Sequence, residues 1–567
     1  MTYGYKASSS ILQGLPTAKS CRTRRTMPVS FIALAGWHDV FQEILNHLEP
    51  TDHYDEDDEN DRYFAARKAF KGALFSLALS SHALSGPALD KLWRSLTDIS
   101  PLFKLLPNYQ LRGLTYHIMG YISPEAWSRF QTYASRVRNI TVHRHIYAHP
   151  SVWTVIHEQS QGGPLFPNLS SLYAVIWSAP HAVSSIRLFI SPSLKSVSLA
   201  FHGVPGGLQP TDAAITVASD SAASILQDLS VKSPKITRLF VLPHINLHRQ
   251  HLTALSRFTQ LEVLDVNYHS PFDEELLPTL VNLRHLTRLE VSILPRNPTN
   301  ASQLDLRDGF QKLTRLVLRG PHAQLTRFIL ASSTPRLNYL YIAVGSHPAD
   351  GVHTSLASIC RHISPHILTF FRVDLGQFHH PPPSFATLLE PVLPFANLEQ
   401  VQFSFEGHTP LGDKNLESLA RAYPKLHTLI LMQSPETMVD PDREPGSVER
   451  PTLRGLVELA RGCPRLEKLC ILDLDASSVP PTESVPLIGH RPLNLCIQNL
   501  VGAEGEAKQL AVALVLDRLF PRLKLRSGIH ELPGWGANYN PSLEESKNIA
   551  KLLRAIQGAR MHYPGGL

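Results

Sequence analysis

Four stretches decide the fold: FTQLEVLDV (258–266), LRHLTRLEV (283–291), FQKLTRLVL (310–318) and TPRLNYLYI (334–342). Each carries apolar residues in the spacing Leu-x-x-Leu-x-Leu, with valine or isoleucine as variants. Their first members, Leu261, Leu286, Leu313 and Leu337, follow one another at intervals of 25, 27 and 24 residues. A near-constant interval of this size marks a stacked repeat. The phrase extends in both directions. SPSLKSVSL (191–199) and SPKITRLFV (233–241) come before, and FANLEQVQF (395–403), YPKLHTLIL (423–431) and CPRLEKLCI (463–471) come after. Weaker copies begin at Arg136, Phe166, Ser364 and Phe520, making thirteen. Alternation within each phrase predicts a short strand with one face in a core. The preceding segments read as helices. In KNLESLARAYPKL (414–426) Leu416, Leu419, Ala420 and Tyr423 share a face and Pro424 ends the helix. TLRGLVELARGCPRL (452–466) repeats that pattern, with Thr452 as cap and Pro464 as stop. Proline therefore punctuates the helix-to-strand junctions, which accounts for 44 prolines against 31 glycines.

Repeated strand–helix units must cross over to parallel neighbours, and the usual crossover hand makes the coil right-handed. The fold class is α/β. The repeat resembles the leucine-rich-repeat, ribonuclease-inhibitor-like solenoid, expected over residues 108–535 with parallel strands on the concave side. Residues flanking the second leucine point away from the core. They form a ladder of Phe240, Asp265, Asn267, Arg288, Glu290, Arg315, Arg319, Tyr339, Tyr341 and Arg372. Arginine and tyrosine suit interface anchors, so this ladder is the candidate substrate-binding face. The bland alternative is an ordinary exposed sheet face. PSLEESKNIAKLLRAIQGA (541–559) places Leu543, Ile549, Leu552, Leu553 and Ile556 on one side. Residues 536–567 are therefore expected to hold a helix that seals the end of the stack, with a short tail.

Ahead of the repeats the chain is organised differently. Residues 1–30 hold no acid and scattered basic residues, which predicts a disordered leader, and Met27 is a candidate alternative start. In DVFQEILNHLEP (39–50) the residues Val40, Phe41, Ile44, Leu45 and Leu48 make one helical stripe that Pro50 ends. The acidic stretch 51–61 follows as a solvated loop. A second apolar segment, ALFSLALSSHALSGPALDKLWRSL (73–96), contains Pro87 at the expected first turn of a further helix.

Residues 31–107 thus read as a small helical module. A short helix ending in Leu-x-Pro, a Leu-rich helix, and then Ala-Leu-x-x-Leu-Trp-Arg-x-Leu resemble an F-box, and PALDKLWRSLTDISPLFKLLP (87–107) is most like the F-box proteins of mushroom-forming fungi. The matching residues are Val40, Ile44, Leu45, Leu48 and Pro50, then Leu77, Leu79, Leu84, Leu89 and Trp93. Gly36-Trp37-His38 stands where an F-box usually opens with Leu-Pro. The resemblance implies that these residues, with Phe41, dock on a Skp adaptor and through it on a cullin. The chain would then be the non-catalytic substrate-recognition subunit of a Skp–cullin–F-box ubiquitin ligase. Its solenoid would hold an unidentified protein substrate. The alternative is a leucine-rich interaction scaffold with no ubiquitin role, whose helical start is a cap.

Composition narrows the rest. Of 567 residues 43% are hydrophobic and 18% charged, an ordinary globular balance. The formal charge of +6, without a basic stretch interleaved with aromatics, gives no reason to expect nucleic acid. No eighteen-residue apolar run is present, so no membrane span is expected. Five cysteines, at 21, 360, 463, 470 and 496, are too few for a disulfide framework and suit a reducing cytoplasmic or nuclear setting. Phosphate-binding loops, hydrolase elbows and His-Glu-x-x-His are absent, so neither catalysis nor a cofactor is expected. His143, His145 and His149 lack Cys or carboxylate partners, and a metal site is not expected there.

Overall fold

The computed structural model describes residues 37–49, 59–113, 115–142, 148–177, 185–202, 212–242, 254–266, 277–293, 304–344, 351–376, 383–406, 410–434, 449–487, 494–525 and 543–562. The chain divides into two compact units, Met1–Leu92 and Trp93–Leu567. The expected leader, Pro50 and most of the acidic loop lie outside the described residues.

In the first unit α1 (Trp37–His47) and α2 (Glu59–Ser80) precede α3 (His82–Arg94), which runs past the division. The break between α2 and α3 falls at Ser81, and Pro87 sits inside α3. This corrects the expectation that Pro87 opens a helix. The Ser81 carbonyl accepts the N–H groups of Leu84 and Ser85, at 3.2 and 2.9 Å, and so starts the helix earlier. At the sixth position of the helix, past its first turn, Pro87 forgoes one intrahelical hydrogen bond, that to the Ala83 carbonyl. Two polar links hold α3 to α1. Gln42 Nε2 donates to the Pro87 carbonyl at 3.2 Å. The buried Lys91 ammonium donates to Asn46 Oδ1 at 2.7 Å and Glu49 Oε2 at 2.5 Å. A cation there also complements the C-terminal end of α1.

The second unit is a stack of repeats. Among its described residues fifteen strands form one sheet, with all neighbours parallel and in chain order. They are β1 (Ser95–Leu96), β4 (Asn139–Val142), β5 (Ser171–Trp177), β6 (Ser196–His202), β7 (Arg238–Leu242), β8 (Val263–Val266), β9 (Arg288–Ser292) and β10 (Arg315–Arg319). Beyond them lie β11 (Tyr339–Ala343), β12 (Phe370–Leu375), β13 (Gln400–Glu406), β14 (Thr428–Ser434), β15 (Lys468–Asp475), β16 (Asn494–Val501) and β17 (Lys524–Leu525). Apart from this sheet, β2 (Tyr109–Arg112) and β3 (Thr115–Ile118) pair with each other as an antiparallel hairpin. The sheet begins at Ser95, ahead of the expected solenoid start at residue 108.

One backbone device recurs from repeat to repeat. From β4 to β14 the carbonyl just before the strand accepts two successive N–H groups from the next repeat. Thr287 O takes Thr314 N and Arg315 N at 2.9 and 3.0 Å, and Thr314 O takes Asn338 N and Tyr339 N, both at 3.0 Å. Asn338 O does the same for Thr369 and Phe370. Sharing one carbonyl fixes the register of these strands against their neighbours, so the alternation of buried and outward residues stays in phase along the stack.

The buried leucines of the strands face the connecting helices. Consecutive helices α4 (His322–Ala331) and α5 (Val352–His362) pack side by side, as do α6 (Asp413–Ala422) and α7 (Leu453–Gly462). The Thr452 hydroxyl accepts from Arg454 N at 3.1 Å, the cap expected from its sequence. Asp413 at the start of α6 accepts from Thr452 N and Thr452 Oγ1, each at 2.7 Å, tying the two helix starts together. At the far end α8 (Glu506–Leu519) packs on α9 (Leu543–His562), which buries Ile549 and Leu553. Leu552 and Ile556 are half-buried, and the Leu543 side chain lies outside the described residues. Arg560 on α9 pairs with the buried Asp517 on α8.

Candidate interaction surfaces

The apolar stripe of α1 splits in two. Leu45 is interior, 3% exposed, and Phe41 is half-buried. Val40, Ile44 and Leu48, spaced by four residues along one line of the helix, are 60%, 48% and 62% exposed. On α2 Leu79 is exposed and Leu77 half-buried; on α3 Leu84 and Leu89 are half-buried. Trp93 is buried against Tyr133, their ring centroids 5.0 Å apart. Of the residues expected to meet an adaptor, Leu45 and Trp93 are therefore packed inside. The accessible apolar set is Val40, Ile44, Leu48 and Leu79. Pro50 lies outside the described residues.

The ladder on the strands assembles in three rows, because parallel pairing puts residues of equal register side by side. Arg288, Arg315, Tyr339 and Phe370 form the first row. The second row runs Phe240, Asp265, Glu290, Val317, Tyr341 and Arg372. In the third, Ser292, Arg319, Ala343 and Asp374 are neighbours. Nine of the ten ladder residues thus share one face, and Asn267 lies outside the described residues.

Their polar groups are interlocked. Glu290 accepts from Arg319 Nη2 at 2.6 Å and from Arg288 Nη2 at 3.3 Å. Arg288 also reaches Asp265 Oδ2 at 3.6 Å. Arg372 grips Asp374 through both fork nitrogens, Nε at 3.0 Å and Nη2 at 2.7 Å. Tyr341 Oη donates to the same carboxylate at 2.5 Å. Asp374 extends the site beyond the residues named from sequence; one more step of alternation along FFRVDL (370–375) reaches it.

Aromatic rings complete the surface. The Arg315 guanidinium lies 3.8 Å from the Tyr339 ring centroid, and Tyr339 stacks on Phe370 with centroids 3.8 Å apart and planes within 9°. Arg372 and Arg319 lie 4.4 and 5.4 Å from the Tyr341 ring. Such stacking immobilises the long arginine side chains before any partner arrives.

Burial makes the electrostatics unequal. Asp265 is 8% exposed; desolvation and the neighbouring Glu290 carboxylate push its carboxyl up to about 7. Burial acts on Glu290 in the same direction, but the Arg319 guanidinium and the hydrogen bonds from Arg319 and Arg288 outweigh it and hold this carboxyl below its ordinary value. The pair therefore consists of a charged Glu290 and an Asp265 that readily keeps its proton. Asp265 Oδ1, Arg288 Nε, Arg315 Nε and Arg319 Nη1 are buried and have no hydrogen-bond partner among the described residues.

Among the paired histidines, His149 stacks on His117 with centroids 4.4 Å apart, and its Nδ1 lies 2.8 Å from Ser151 Oγ. His143 and His145 lie outside the described residues. Cys360, Cys463 and Cys470 are buried and free.

No protein-family model matches the chain, and no curated protein matches it. Solved structures do align with it at low identity. An internalin from Listeria monocytogenes shares 16% identity, covering 61% of this chain and 83% of its own, with a TM-score of 0.28. The Rad7 and Elc1 complex from yeast gives 12% identity over 73% of this chain and 92% of the matched one, with a TM-score of 0.28.

Proposed function

We propose that the protein is a substrate-recognition subunit of a Skp–cullin–F-box ubiquitin ligase. In this reading the helical unit docks on the adaptor and the strand face of the repeat unit holds a protein partner. The observation that carries the first half is the accessible line Val40–Ile44–Leu48 with Leu79, in a unit whose sequence resembles an F-box. Large apolar side chains left in water along one helix line mark a contact surface. The second half rests on a face whose arginines and tyrosines are already held in place, which lowers the ordering cost of binding. No bond chemistry is assigned to the chain. Its contribution is proximity, raising the effective concentration of a partner's lysine near the ligase.

A second reading, an interaction scaffold whose first unit is only a cap, draws support from the burial of Leu45 and Trp93. Co-purification of the full chain with a Skp adaptor separates the two. Wild-type chain is expected to retain the adaptor, and an Ile44→Asp, Leu48→Asp variant with unchanged thermal unfolding is expected to lose it. Failure of the folded wild type to bind favours the scaffold.

A further inference from the structure

The strand face is not uniformly charged, and around Tyr339 and Tyr341 the arginines held by carboxylates can be separated from Arg315. Arg288 and Arg319 share Glu290, and Arg372 is held by Asp374. Arg315 is different: among the described residues it has no hydrogen bond or carboxylate, only the Tyr339 ring against its guanidinium plane. Tyr339 is itself held by stacking on Phe370. A guanidinium is planar by delocalisation, and contact with a ring does not use up its N–H donors, which can offer a two-pronged fork.

We propose that Arg315 receives one carboxylate of an acidic peptide segment laid across this face. The inference rests on the reading of the face as a docking surface and adds the partner's chemistry. One free fork matches one monoanionic, planar carboxylate. A phosphorylated side chain brings nearly two charges at neutral pH and calls for a second uncommitted cation. Beside Arg315, Arg288 and Arg319 share the single charge of Glu290 and Arg372 is matched by Asp374, so the neighbouring guanidinium groups are already held in ion pairs, and the two carboxylates repel a dianion. Tyr339 and Phe370 supply apolar area for the methylenes that lead to the carboxylate.

The test is selection of a random-peptide display library on immobilised full chain, followed by affinity measurements with the selected peptides made synthetically. Asp or Glu is expected at one fixed position. Changing that acid to its amide, or Arg315→Gln in the protein, is expected to weaken binding about tenfold or more, the two changes together costing no more than either alone. Arg315→Lys keeps the charge without the fork and is expected to recover only part of the affinity. Equal thermal unfolding of the variants establishes that they are folded.

Tighter binding of a phosphoserine version of the peptide overturns the carboxylate assignment. So do selected peptides that ignore Arg315→Gln but are lost with Gln402→Trp, which plugs the face at the position next to Arg372 in the second row; that result leaves the docking surface standing. Peptides indifferent to both substitutions, or no selection at all, overturn the surface and the inference together.

Discussion

Asp265 is where the demands of folding and of the surface pull apart. In an unfolded chain its carboxyl ionises near 3.8, whereas burial beside Glu290 raises it to about 7 in the fold. Between these values the folded protein keeps a proton that the unfolded chain has released, so this residue's contribution to stability declines as pH rises from about 4 to about 7. Glu290 has the opposite sign, contributing stability that is lost only at acid pH, below its ordinary 4.5. Asp265→Asn is therefore expected to raise the melting temperature relative to wild type, with a difference that grows from about pH 5 to about pH 8. Thermal unfolding across that range checks it; a difference that shrinks with pH contradicts the assignment. Burial also pushes the Cys360 and Cys463 thiols up to about 12. Neither is expected to react with iodoacetamide at neutral pH until the chain unfolds, as peptide mass mapping will show.

Single residues also determine how neighbouring elements meet. Gly320 closes β10 beside Arg319 with φ of +137°, and a Cβ there would stand 2.3 Å from the Ile293 carbonyl oxygen. Gly320→Ala is expected to cost about 2 kcal/mol or more from backbone strain and displacement. Because Arg319 is the preceding residue, loosening of the Glu290 ion pair should follow, measurable as a change in the pH dependence of unfolding. At the helix layer Thr452→Ala removes a cap and one of two hydrogen bonds to Asp413, with an expected loss of about 1–2 kcal/mol in denaturant unfolding. This cap was legible in the sequence, as were the strands, because the signal is local: a hydroxyl ahead of an apolar stripe, or leucines at period two. Other features were not. Which half of the α1 stripe turns inward depends on the helices that meet it, so Leu45 looks no different from Leu48 in sequence. Pro87 is a strong local signal, yet the Ser81 carbonyl starts the helix first. The near-complete burial of Asp265 and Glu290 arises from side chains that arrive from repeats a whole turn away, which no single phrase of sequence displays.

At the scale of the whole chain the repeat unit is held by nearest-neighbour pairing and must end somewhere. In such an arrangement stability is a sum of repeats and interfaces, and an uncovered last repeat frays. Helix α9 covers that end with Ile549 and Leu553 and with the Arg560–Asp517 pair. Truncation before Leu543 is expected to broaden thermal unfolding and cause aggregation. Arg560→Ala, which strands the buried Asp517, is expected to cost about 1–2 kcal/mol. The N-terminal unit carries the accessible line on α1, and the repeat unit carries the arginine–tyrosine face. In the proposed function these two surfaces serve different partners. Hydrogen–deuterium exchange of the full chain, alone and with a Skp adaptor, checks this. Added protection is expected within residues 37–49 and 59–92 and none in β8 to β12. Protection in those strands, or no protection anywhere at saturating adaptor, would contradict it.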